Sequence, residues 1–473
     1  MPSPKVRFAP SPTGRLHLGN VRTALANRLF TQRQGGTAYL RIDDTDRTRS
    51  GRDLERHIES DLAWLGLDFV PAFRQSERTG AYEAAFDRLA ARGFVYPCDE
   101  TADELEAIRR DRAARGLPPA YRRSARTNPS RDADQTNPGV GLSQTNPSHG
   151  VARANPSRDV DRTNPSARPY WRFALPDGEA RFADLIQGAR VLPFAAFSDP
   201  VVRRADGGFT YAFASVVDDA DLAITHLIRG EDHLSNTAVQ LALFDALGAA
   251  RPETAHLPLL RDADGGPLSK RLGSLGVADL RGEGIEPLAI LRHLAVLGTG
   301  NPPDPSADLE GLARTFDLAA FNRAPARLNL DEIRRLSLQI QRNLPFAAVR
   351  ERLEALGIEG VDEPLWLVCR DNVGGLGEMA GWVRVVRGPI EPVREDVPLL
   401  EAGADLLPDR LGDEADAGAW LDRVKAATGR KGRGLFHPLR LAATGRDDGP
   451  GLKLLLPLVG PDRLRRRLRG EIA

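Results

Sequence analysis

The first 66 residues alternate between short apolar runs and helical periodicity. Val21, Leu25 and Leu29 recur every four positions, which predicts a helix, and Asn20 suits its N-cap. Strand, helix and strand within about 40 residues form a βαβ unit, which indicates a parallel sheet. The expected elements are a strand at 5–8, a helix at 20–34 and a strand at 38–42.

The pattern changes twice further along the chain. Short strands with turn signals are expected between residues 170 and 225, so the parallel sheet is predicted to be split by the intervening residues. Beyond residue 276 helical periodicity dominates, and the C-terminal third is predicted to be all-helical. The other expected elements are helices at 51–66, 77–92 and 233–247, a hairpin around 205–208, and strands at 222–228 and 257–261.

Residues 127–166 follow a nine-residue period. Each of five repeats carries Asn-Pro, as in Thr127-Asn128-Pro129-Ser130. Because the residue before proline disfavours the helical conformation and the segment is poor in apolar residues, neither a helix nor a packed core is expected. Five coils of a β-helix this polar would have nothing to bury. The segment is predicted to be a disordered surface insertion without a catalytic role.

Composition narrows the class of protein. A length of 473 residues suggests about three domains. Lys+Arg and Asp+Glu each number 65, so the formal net charge is zero, which excludes binding of nucleic acid by bulk charge but leaves local basic patches open. No run of 18 apolar residues is present, and residues 1–8 lack an apolar signal core. The two cysteines, Cys98 and Cys369, cannot build a disulfide framework, which indicates a reduced, cytoplasmic protein.

The first candidate for chemistry is the turn after the first strand, where Pro10-Ser11-Pro12-Thr13-Gly14 leads into His17-Leu18-Gly19-Asn20. His17 and Gly19 would lie at a helix N-terminus, where N–H groups and the helix dipole favour an anion such as phosphate. Gly19 lacks a side chain, so a flat ring can approach the backbone there. A surface loop is the alternative, and placement at the first βα turn favours the binding site.

Two further groups have both a functional and a structural interpretation. Pro267-Leu268-Ser269-Lys270-Arg271 either offers Lys270 to a pyrophosphate leaving group or is a solvated basic loop. The aspartates of 43–46 and 218–221 can hold Mg²⁺, although aspartates more commonly cap helices and loops.

Together these motifs resemble the class I aminoacyl-tRNA synthetases, and in detail the bacterial-type glutamyl-tRNA synthetases. His17-Leu18-Gly19-Asn20 is similar to their first signature, His-Ile-Gly-His, and Leu268-Ser269-Lys270-Arg271 is similar to the second, Lys-Met-Ser-Lys-Ser. The resemblance covers nearly the whole chain apart from the repeats. Other similar stretches are Arg7-Phe8-Ala9-Pro10-Ser11-Pro12-Thr13-Gly14, Arg41-Ile42-Asp43-Asp44-Thr45-Asp46, Ile228-Arg229-Gly230-Glu231-Asp232-His233 and Gly432-Arg433-Gly434-Leu435-Phe436-His437-Pro438-Leu439-Arg440.

The resemblance implies an α/β fold: a Rossmann-like, parallel-sheet catalytic domain split by an α+β acceptor-stem-binding insertion and followed by an all-helical anticodon-binding region. The implied boundaries are 1–95 and 196–262 for the two catalytic halves, 96–195 for the insertion with its repeats at 127–166, 263–324 for a stem-contact region that carries the second signature, and 325–473 for the anticodon-binding region.

The activity implied is that of a glutamate–tRNA ligase. It condenses L-glutamate with ATP, accompanied by Mg²⁺, to glutamyl adenylate and transfers the glutamyl group to the 3′-terminal adenosine of tRNA(Glu). The implied catalytic residues are His17, Gly19 and Lys270. The implied ATP-binding set is His17, Gly19, Asn20, Glu231, Asp232, Leu268, Ser269, Lys270 and Arg271. The implied glutamate-binding set is Arg7, Ala9, Ser11, Asp43, Tyr211, Ser215 and Arg229.

Within that set the resemblance suggests separate tasks. Arg7 and Arg229 would clamp a substrate carboxylate, and Asp43 would meet the substrate ammonium. The chain departs from the family pattern in places: Pro267 stands where the second signature has its first lysine, many members have Glu at the position of Asp43, and Asn is common at that of Ser215. Some members bind zinc through cysteines and a histidine in the insertion, where this chain has only Cys98. No zinc and no other metal site are therefore predicted.

For tRNA, the resemblance suggests contacts from Arg430, Lys431 and Arg433. The arginine-rich run 463–469 either holds phosphates or is a solvated helix face. A monomer without membrane contact is expected, and charging of tRNA(Gln) is left open. The alternatives are a glutaminyl-tRNA synthetase, whose family carries β-barrels behind the catalytic half, and a non-catalytic tRNA-binding paralogue.

Overall fold

The computed structural model describes residues 3–46, 50–123, 169–262, 265–266 and 276–473. In chain order its strands are β1 (Lys5–Phe8), β2 (Thr37–Ile42), β3 (Val70–Arg74), β4 (Val95–Cys98), β5 (Tyr170–Phe173), β6 (Glu179–Asp184), β7 (Gly188–Pro193), β8 (Val201–Arg203), β9 (His226–Gly230), β10 (Glu253–Leu257), β11 (Leu260–Arg261) and β12 (Ala326–Arg327). The helices before residue 250 are α1 (Leu18–Gln34), α2 (Arg52–Leu65), α3 (Thr79–Ala91), α4 (Ala102–Ala114), α5 (Tyr211–Asp221) and α6 (Leu234–Leu247).

Parallel strands form the framework of the N-terminal part. β1, β2 and β3 make one sheet, and α1 crosses from β1 to β2, so the predicted βαβ unit is confirmed. In a second sheet the order is β7-β6-β10-β9, with β6, β10 and β9 parallel. The Thr225 N–H donates to the Lys5 carbonyl over 2.9 Å, which brings β9 beside β1. The carboxyl ends of strands that are far apart in sequence therefore lie at the same edge, as expected for parallel strands.

A smaller antiparallel sheet, β4-β5-β8, lies between the two halves in sequence. The predicted repeats at 127–166 lie outside the described residues. The described segments before and after them both form hydrogen bonds with Asp199. Its carboxylate accepts the N–H groups of Arg123, at 2.7 Å, and Leu175, at 3.0 Å. The domain boundary at 195 stays a prediction, and the sheet of β9 and β10 includes strands on both sides of it.

The remaining described residues form helices. Between 325 and 473, all of which are described, the regular elements are helical, as the periodicity predicts, except for the two-residue strand β12, which pairs with β11. These helices enclose an apolar core built around Trp366, Trp382 and Trp420. Contacts divide the chain into two compact units: the first is Met1–Val277, Leu294–Pro302 and Asp308–Leu328, and the second is Ala278–His293, Pro303–Ala307 and Asn329–Ala473. The longer C-terminal helices are Leu330–Arg342, Phe346–Ala355, Val397–Asp405, Glu414–Thr428 and Arg433–Thr444.

Several local predictions were wrong in part; one of them, the strand predicted at 257–261, is divided into the end of β10 at Leu257 and the two-residue β11. The helix predicted from Asn20 begins at Leu18, because the N-cap is His17. Residues 211–221, expected to contain short strands, form α5. Val216 and Val217 favour a strand locally, but both are buried in an apolar core shared with α3 and α6, and this packing outweighs the local preference. The strand expected at 222–228 accordingly starts only at His226.

Candidate active site

His17 closes the first turn of α1 with its own side chain. Its Nδ1 accepts hydrogen bonds from the backbone N–H groups of Gly19, at 3.1 Å, and Asn20, at 3.3 Å, while Asn20 Oδ1 accepts the His17 N–H. Burial lowers the pKa of His17, although the charge of Asp232 opposes the shift. The imidazole is therefore neutral at pH 7, and because Nδ1 accepts, its proton lies on Nε2.

This cap changes the predicted role of the helix N-terminus. The N–H groups of Gly19 and Asn20, expected to bind phosphate, already donate to His17 in this conformation. The donor that remains is Nε2–H of His17. A Cβ at Gly19 would lie 3.0 Å from the imidazole, so the missing side chain is needed for the cap as well as for the predicted approach of adenine.

A buried network of arginines and aspartates lies beneath the ends of β1 and β2, and we call Arg7, Arg41, Asp43, Asp218 and Asp219 the paired cluster. Arg41 binds Asp43 with two hydrogen bonds, of 2.7 and 3.1 Å, and Asp219 with one of 2.6 Å. Arg7 Nε donates a hydrogen bond of 3.0 Å to Asp219 Oδ1. This bond does not involve the two terminal nitrogens, Nη1 and Nη2, of Arg7. These bonds connect β1 and β2 to α5, far along the chain.

The carboxylates of the paired cluster are fixed from several directions. Asp218 accepts hydrogen bonds from Gln75, at 2.8 Å, Tyr82, at 2.9 Å, and Arg78, at 2.8 Å. Burial raises the pKa of Asp43 to about 6, although Arg41 and Arg7 oppose the shift. Asp43, Asp218 and Asp219 thus form ion pairs with arginines, and no group of three metal-ligating side chains is found among the described residues. A role of the aspartates as Mg²⁺ ligands stays a prediction.

Ser215 and Arg41 meet inside the same cluster. Ser215 Oγ accepts a hydrogen bond of 2.9 Å from Arg41 Nη2, and the serine is fully buried. Sequence reasoning quoted Arg41 in a motif but gave it no role. A signal was present, because residues two apart in extended chain share a face, and Asp43, the residue that follows β2, is two positions from Arg41.

Arg229, at the end of β9, is buried in a different way. Its Nη2 donates to Thr237 Oγ1 at 2.7 Å and its Nε to His256 Nε2 at 3.4 Å. Among the described residues it forms no ion pair, and its buried Nη1 has no hydrogen-bond partner. Burial lowers the pKa of Arg229, and the charge of Arg7 lowers it further.

Tyr211 and His233 surround this arginine. The charge of Tyr211, the charge of Asp219 and a hydrogen bond with Tyr211 oppose the lowering of the Arg229 pKa. The ring centroid of Tyr211 is 6.0 Å from that of His233. Burial lowers the pKa of His233 to about 4, with further contributions from the charges of Arg229 and Arg7. Four of the seven predicted glutamate-binding residues are therefore buried polar side chains of one region: Arg7, Asp43, Ser215 and Arg229. Tyr211 and Ala9 are half-buried at its border, and Ser11 is exposed on the following loop.

The structure describes only some of the predicted ATP-binding residues. Glu231 accepts hydrogen bonds from the backbone of Leu259, at 2.8 Å, and from Gln187, at 3.3 Å, while Asp232 is exposed beside His17. Leu268, Ser269, Lys270 and Arg271 lie outside the described residues. The residue that follows their segment, Gly276, forms an antiparallel bridge with His17. The chain next to the second motif is thus joined to the first.

The predicted tRNA contacts lie in the second unit. Arg430 pairs with Asp396 at 2.9 Å, and Lys431 and Arg433 are exposed. Sequence reasoning missed a cleft of about 290 Å³ beside them. Phe436 in this cleft is 41% exposed, and the buried Nη1 of Arg440 has no hydrogen-bond partner in the described part of the chain. The lining residues are Arg433, Phe436, His437, Arg440 and Asp447.

The arginine run at 463–469 is not a purely solvated face, and whether it holds phosphates stays a prediction. Arg467 is fully buried and donates to the carbonyl groups of Val385, Ala443, Gly388 and Ala473. The other arginines of the run likewise bond to carbonyls or carboxylates of their own unit. The local density of positive charge suggested contacts with nucleic acid. In the tertiary structure Arg467 instead donates hydrogen bonds to carbonyl groups, including that of the C-terminal residue Ala473.

Neither a candidate metal site nor a candidate membrane-spanning helix is found among the described residues. No three His, Cys, Asp or Glu side chains converge there as a candidate metal site. No helix in the same part of the chain combines the length and apolar character that crossing a membrane requires.

Comparisons with known proteins agree with this geometry. The family described as "tRNA synthetases class I (E and Q), catalytic domain" matches residues 4–334, and "Anticodon binding domain" matches residues 399–472. The glutamate–tRNA ligase 2 of Methylorubrum populi is 46% identical over 100% of this chain and 99% of its own length, and that of Methylobacterium sp. is 45% identical over 100% of both. A crystal structure of a glutamate tRNA ligase from Elizabethkingia meningosepticum in complex with its amino acid is 26% identical, with a TM-score of 0.82 over 99% of this chain and 98% of that one. The chain therefore belongs to the glutamate–tRNA ligase family of class I tRNA synthetases.

Proposed function

We propose that this protein is a glutamate–tRNA ligase that activates L-glutamate with ATP and transfers it to tRNA(Glu). A glutamate carboxylate oxygen attacks the α-phosphorus of ATP, the bond to pyrophosphate breaks, and glutamyl adenylate forms. The 3′-terminal adenosine hydroxyl then attacks the carbonyl carbon, and AMP leaves. Both steps depend mainly on positioning and on stabilisation of developing charge, which the described site is built to supply.

The observation that carries the proposal is the set of partners around two buried arginines, Arg7 and Arg229. Arg229 has no ion pair within the described residues and a buried Nη1 without a partner, and Arg7 uses only Nε on Asp219. An unpaired buried guanidinium is costly unless an anion completes it. A dicarboxylic amino acid supplies such an anion, whereas the amide of glutamine leaves the charge uncompensated. Selection of glutamate over glutamine follows from this difference.

The proposed binding of ATP depends on His17 and on the second motif. A neutral His17 with its proton on Nε2 can donate to a phosphate oxygen without adding a charge. Lys270 is proposed to stabilise the charge that develops on the α-phosphate and pyrophosphate, and the bridge between His17 and Gly276 supports its proximity. Mg²⁺ would arrive with ATP as part of the substrate, since ATP is the co-substrate of class I synthetases.

Recognition of tRNA is proposed to use the cleft of the second unit. Exposed Phe436 can stack on a base, and Arg433 and Arg440 can donate to base edges or phosphate. Arg430 and Lys431 would add phosphate contacts at the preceding turn. A monomer in the cytoplasm, with tRNA(Glu) as partner, completes the proposal. Gel filtration coupled to light scattering tests the monomer.

The decisive experiment is pyrophosphate exchange into ATP, run with glutamate or glutamine and with or without tRNA(Glu), followed by charging of purified tRNA(Glu) and tRNA(Gln) in parallel. Glutamate-dependent exchange and charging of tRNA(Glu) are expected. Exchange that depends on glutamine would favour a glutaminyl-tRNA synthetase. Binding of tRNA without exchange under any condition would favour a non-catalytic paralogue.

A further inference from the structure

A buried hydrogen-bond network stands behind Arg229, and none of its other members was assigned a role. We propose that Asp184, His256 and Thr237, which with Arg229 we call the Asp184 network, are positioning residues that orient Arg229 for the glutamate carboxylate without neutralising it. The inference rests on the proposed function, because it takes Arg229 as the residue that binds that carboxylate.

The sheet brings these residues together from distant parts of the sequence. β6, β10 and β9 are adjacent parallel strands, and His256 on β10 is the direct register partner of Arg229 on β9. Asp184 ends β6, the strand on the other side of β10, and Thr237 lies on α6. All four residues are buried, His256 and Thr237 completely. The network is therefore part of the rigid sheet rather than of a loop.

Asp184 is held as an anion by the backbone. Its Oδ1 accepts three N–H groups, from Ile186 at 3.1 Å, Gln187 at 2.8 Å and His256 at 3.2 Å, and its Oδ2 lies 2.6 Å from His256 Nδ1. Burial opposes ionisation, but the hydrogen bonds from His256 and Gln187 lower the pKa of Asp184 to about 2. A carboxylate facing Nδ1 requires a proton on that nitrogen.

The proton on Nδ1 decides what His256 offers on its other side. Burial lowers the pKa of His256 despite Asp184, so the imidazole is neutral and Nε2 is an acceptor. Nε2 lies 3.4 Å from Arg229 Nε and 2.9 Å from Thr237 Oγ1, and Arg229 Nη2 donates to the same hydroxyl at 2.7 Å. A histidine with its proton on Nε2 would instead direct an N–H at the guanidinium.

Neutral acceptors orient Arg229 and leave its charge available. A carboxylate in place of His256 would bind Arg229 permanently and compete with the substrate, whereas an imidazole and a hydroxyl fix the plane of the guanidinium. The remaining Nη1 has no partner among the described residues. Outer partners that orient metal ligands are typically worth roughly 10- to 100-fold in metal affinity, and an effect of the same order is expected for Arg229.

The test is a double-mutant cycle in the full-length protein. Asp184→Asn keeps the backbone hydrogen bonds to Oδ1 but presents an amide N–H to His256, which favours the wrong tautomer. The expected result in pyrophosphate exchange is a glutamate KM raised roughly 10- to 100-fold, with an ATP KM within about twofold. In an Arg229→Ala background the same change should add nothing, because its effect is transmitted through Arg229.

Thr254→Val is the matched control. Thr254 lies on the same face of β10, two residues from His256, and its buried hydroxyl has no partner within the described chain, so no change in glutamate KM is expected. If Asp184→Asn fails to fold, Thr237→Val removes the acceptor of Nη2 instead, and a raised glutamate KM is expected there too.

The outcomes separate the inference from the proposed function. The inference is overturned if Asp184→Asn raises the glutamate and ATP KM values equally, or has the same effect with and without Arg229. The assignment of Arg229 as the glutamate-binding arginine is overturned if Arg229→Ala alone leaves the glutamate KM unchanged. A glutamate-specific effect that vanishes in the double mutant supports both.

Discussion

The paired cluster and the Asp184 network bury arginine in opposite ways. In the paired cluster, Arg41 contacts carboxylates directly and Asp43 and Asp219 hold its pKa well above the usual range despite burial. In the Asp184 network, Arg229 contacts a hydroxyl and an imidazole and its pKa is lowered. Arg41, with anionic partners, joins separate elements of the fold, whereas Arg229, with neutral partners, is the one proposed to take an anionic ligand.

The difference also separates stability from affinity. A buried ion pair that loses one partner leaves the other charge without compensation, so the fold is destabilised. A buried arginine held by neutral groups leaves no anion behind when it is removed. Substitution of Arg41 should therefore change mainly the free energy of unfolding, and substitution of Arg229 mainly the KM for glutamate.

The largest effect is expected from Arg41→Met. The substitution leaves Asp43 and Asp219 buried without their main cation, which should lower the free energy of unfolding by about 3–5 kcal/mol. Urea unfolding followed by circular dichroism measures it. Arg229→Met is the matched control, with a loss of about 1 kcal/mol expected. Equal losses in the two variants would remove the proposed distinction.

Arg229→Met should have a small effect on stability but a large effect on the KM for glutamate. Loss of charge-assisted hydrogen bonds to the substrate carboxylate is worth about 3 kcal/mol, which corresponds to a glutamate KM raised roughly 100-fold. Pyrophosphate exchange at varied glutamate and fixed ATP gives the value. A variant whose ATP KM rises instead would show that Arg229 serves the nucleotide.

A smaller pair of effects comes from the two hydroxyl groups. Ser215→Ala removes an acceptor from Arg41, and Thr237→Val removes one from Arg229. Each change should cost about 1 kcal/mol, but Ser215→Ala is expected to lower the urea midpoint and Thr237→Val to raise the glutamate KM. Both variants are measured in both assays, and the comparison fails if the two profiles coincide.

The smallest effect concerns pH. The folded-state pKa of Asp43, about 6, lies above that of a free aspartate, so the folded protein takes up a proton between about pH 4 and 6 that the unfolded chain does not. Relative to Asp43→Asn, wild-type stability should be highest below about pH 4 and fall as the pH rises through about 6. Asp184, with a pKa of about 2, should show no such slope in that window, which urea midpoints at a series of pH values check.

Sequence reasoning reached the fold because its signals were local. The helical spacing of Val21, Leu25 and Leu29 sufficed for α1, and the motif at 7–20 sufficed for its place at the first βα turn. It missed the N-cap, because a histidine is an unusual cap and its reciprocal bonds with Asn20 are a matter of geometry. It also missed α5, where burial against α3 and α6 outweighs the strand preference of its valines.

The chemical types present in the site were determined by the sequence alone: arginines for a carboxylate, a histidine and glycine at a helix start, and a lysine in the second motif. What each arginine does was decided only by the tertiary structure. Arg41 meets Asp219 and Arg229 meets His256 across 178 and 27 positions of sequence, and no periodicity connects such pairs. Because the free energy of a buried charge depends on which partners surround it, the same residue type becomes a structural link in one place and the proposed anion-binding group in the other.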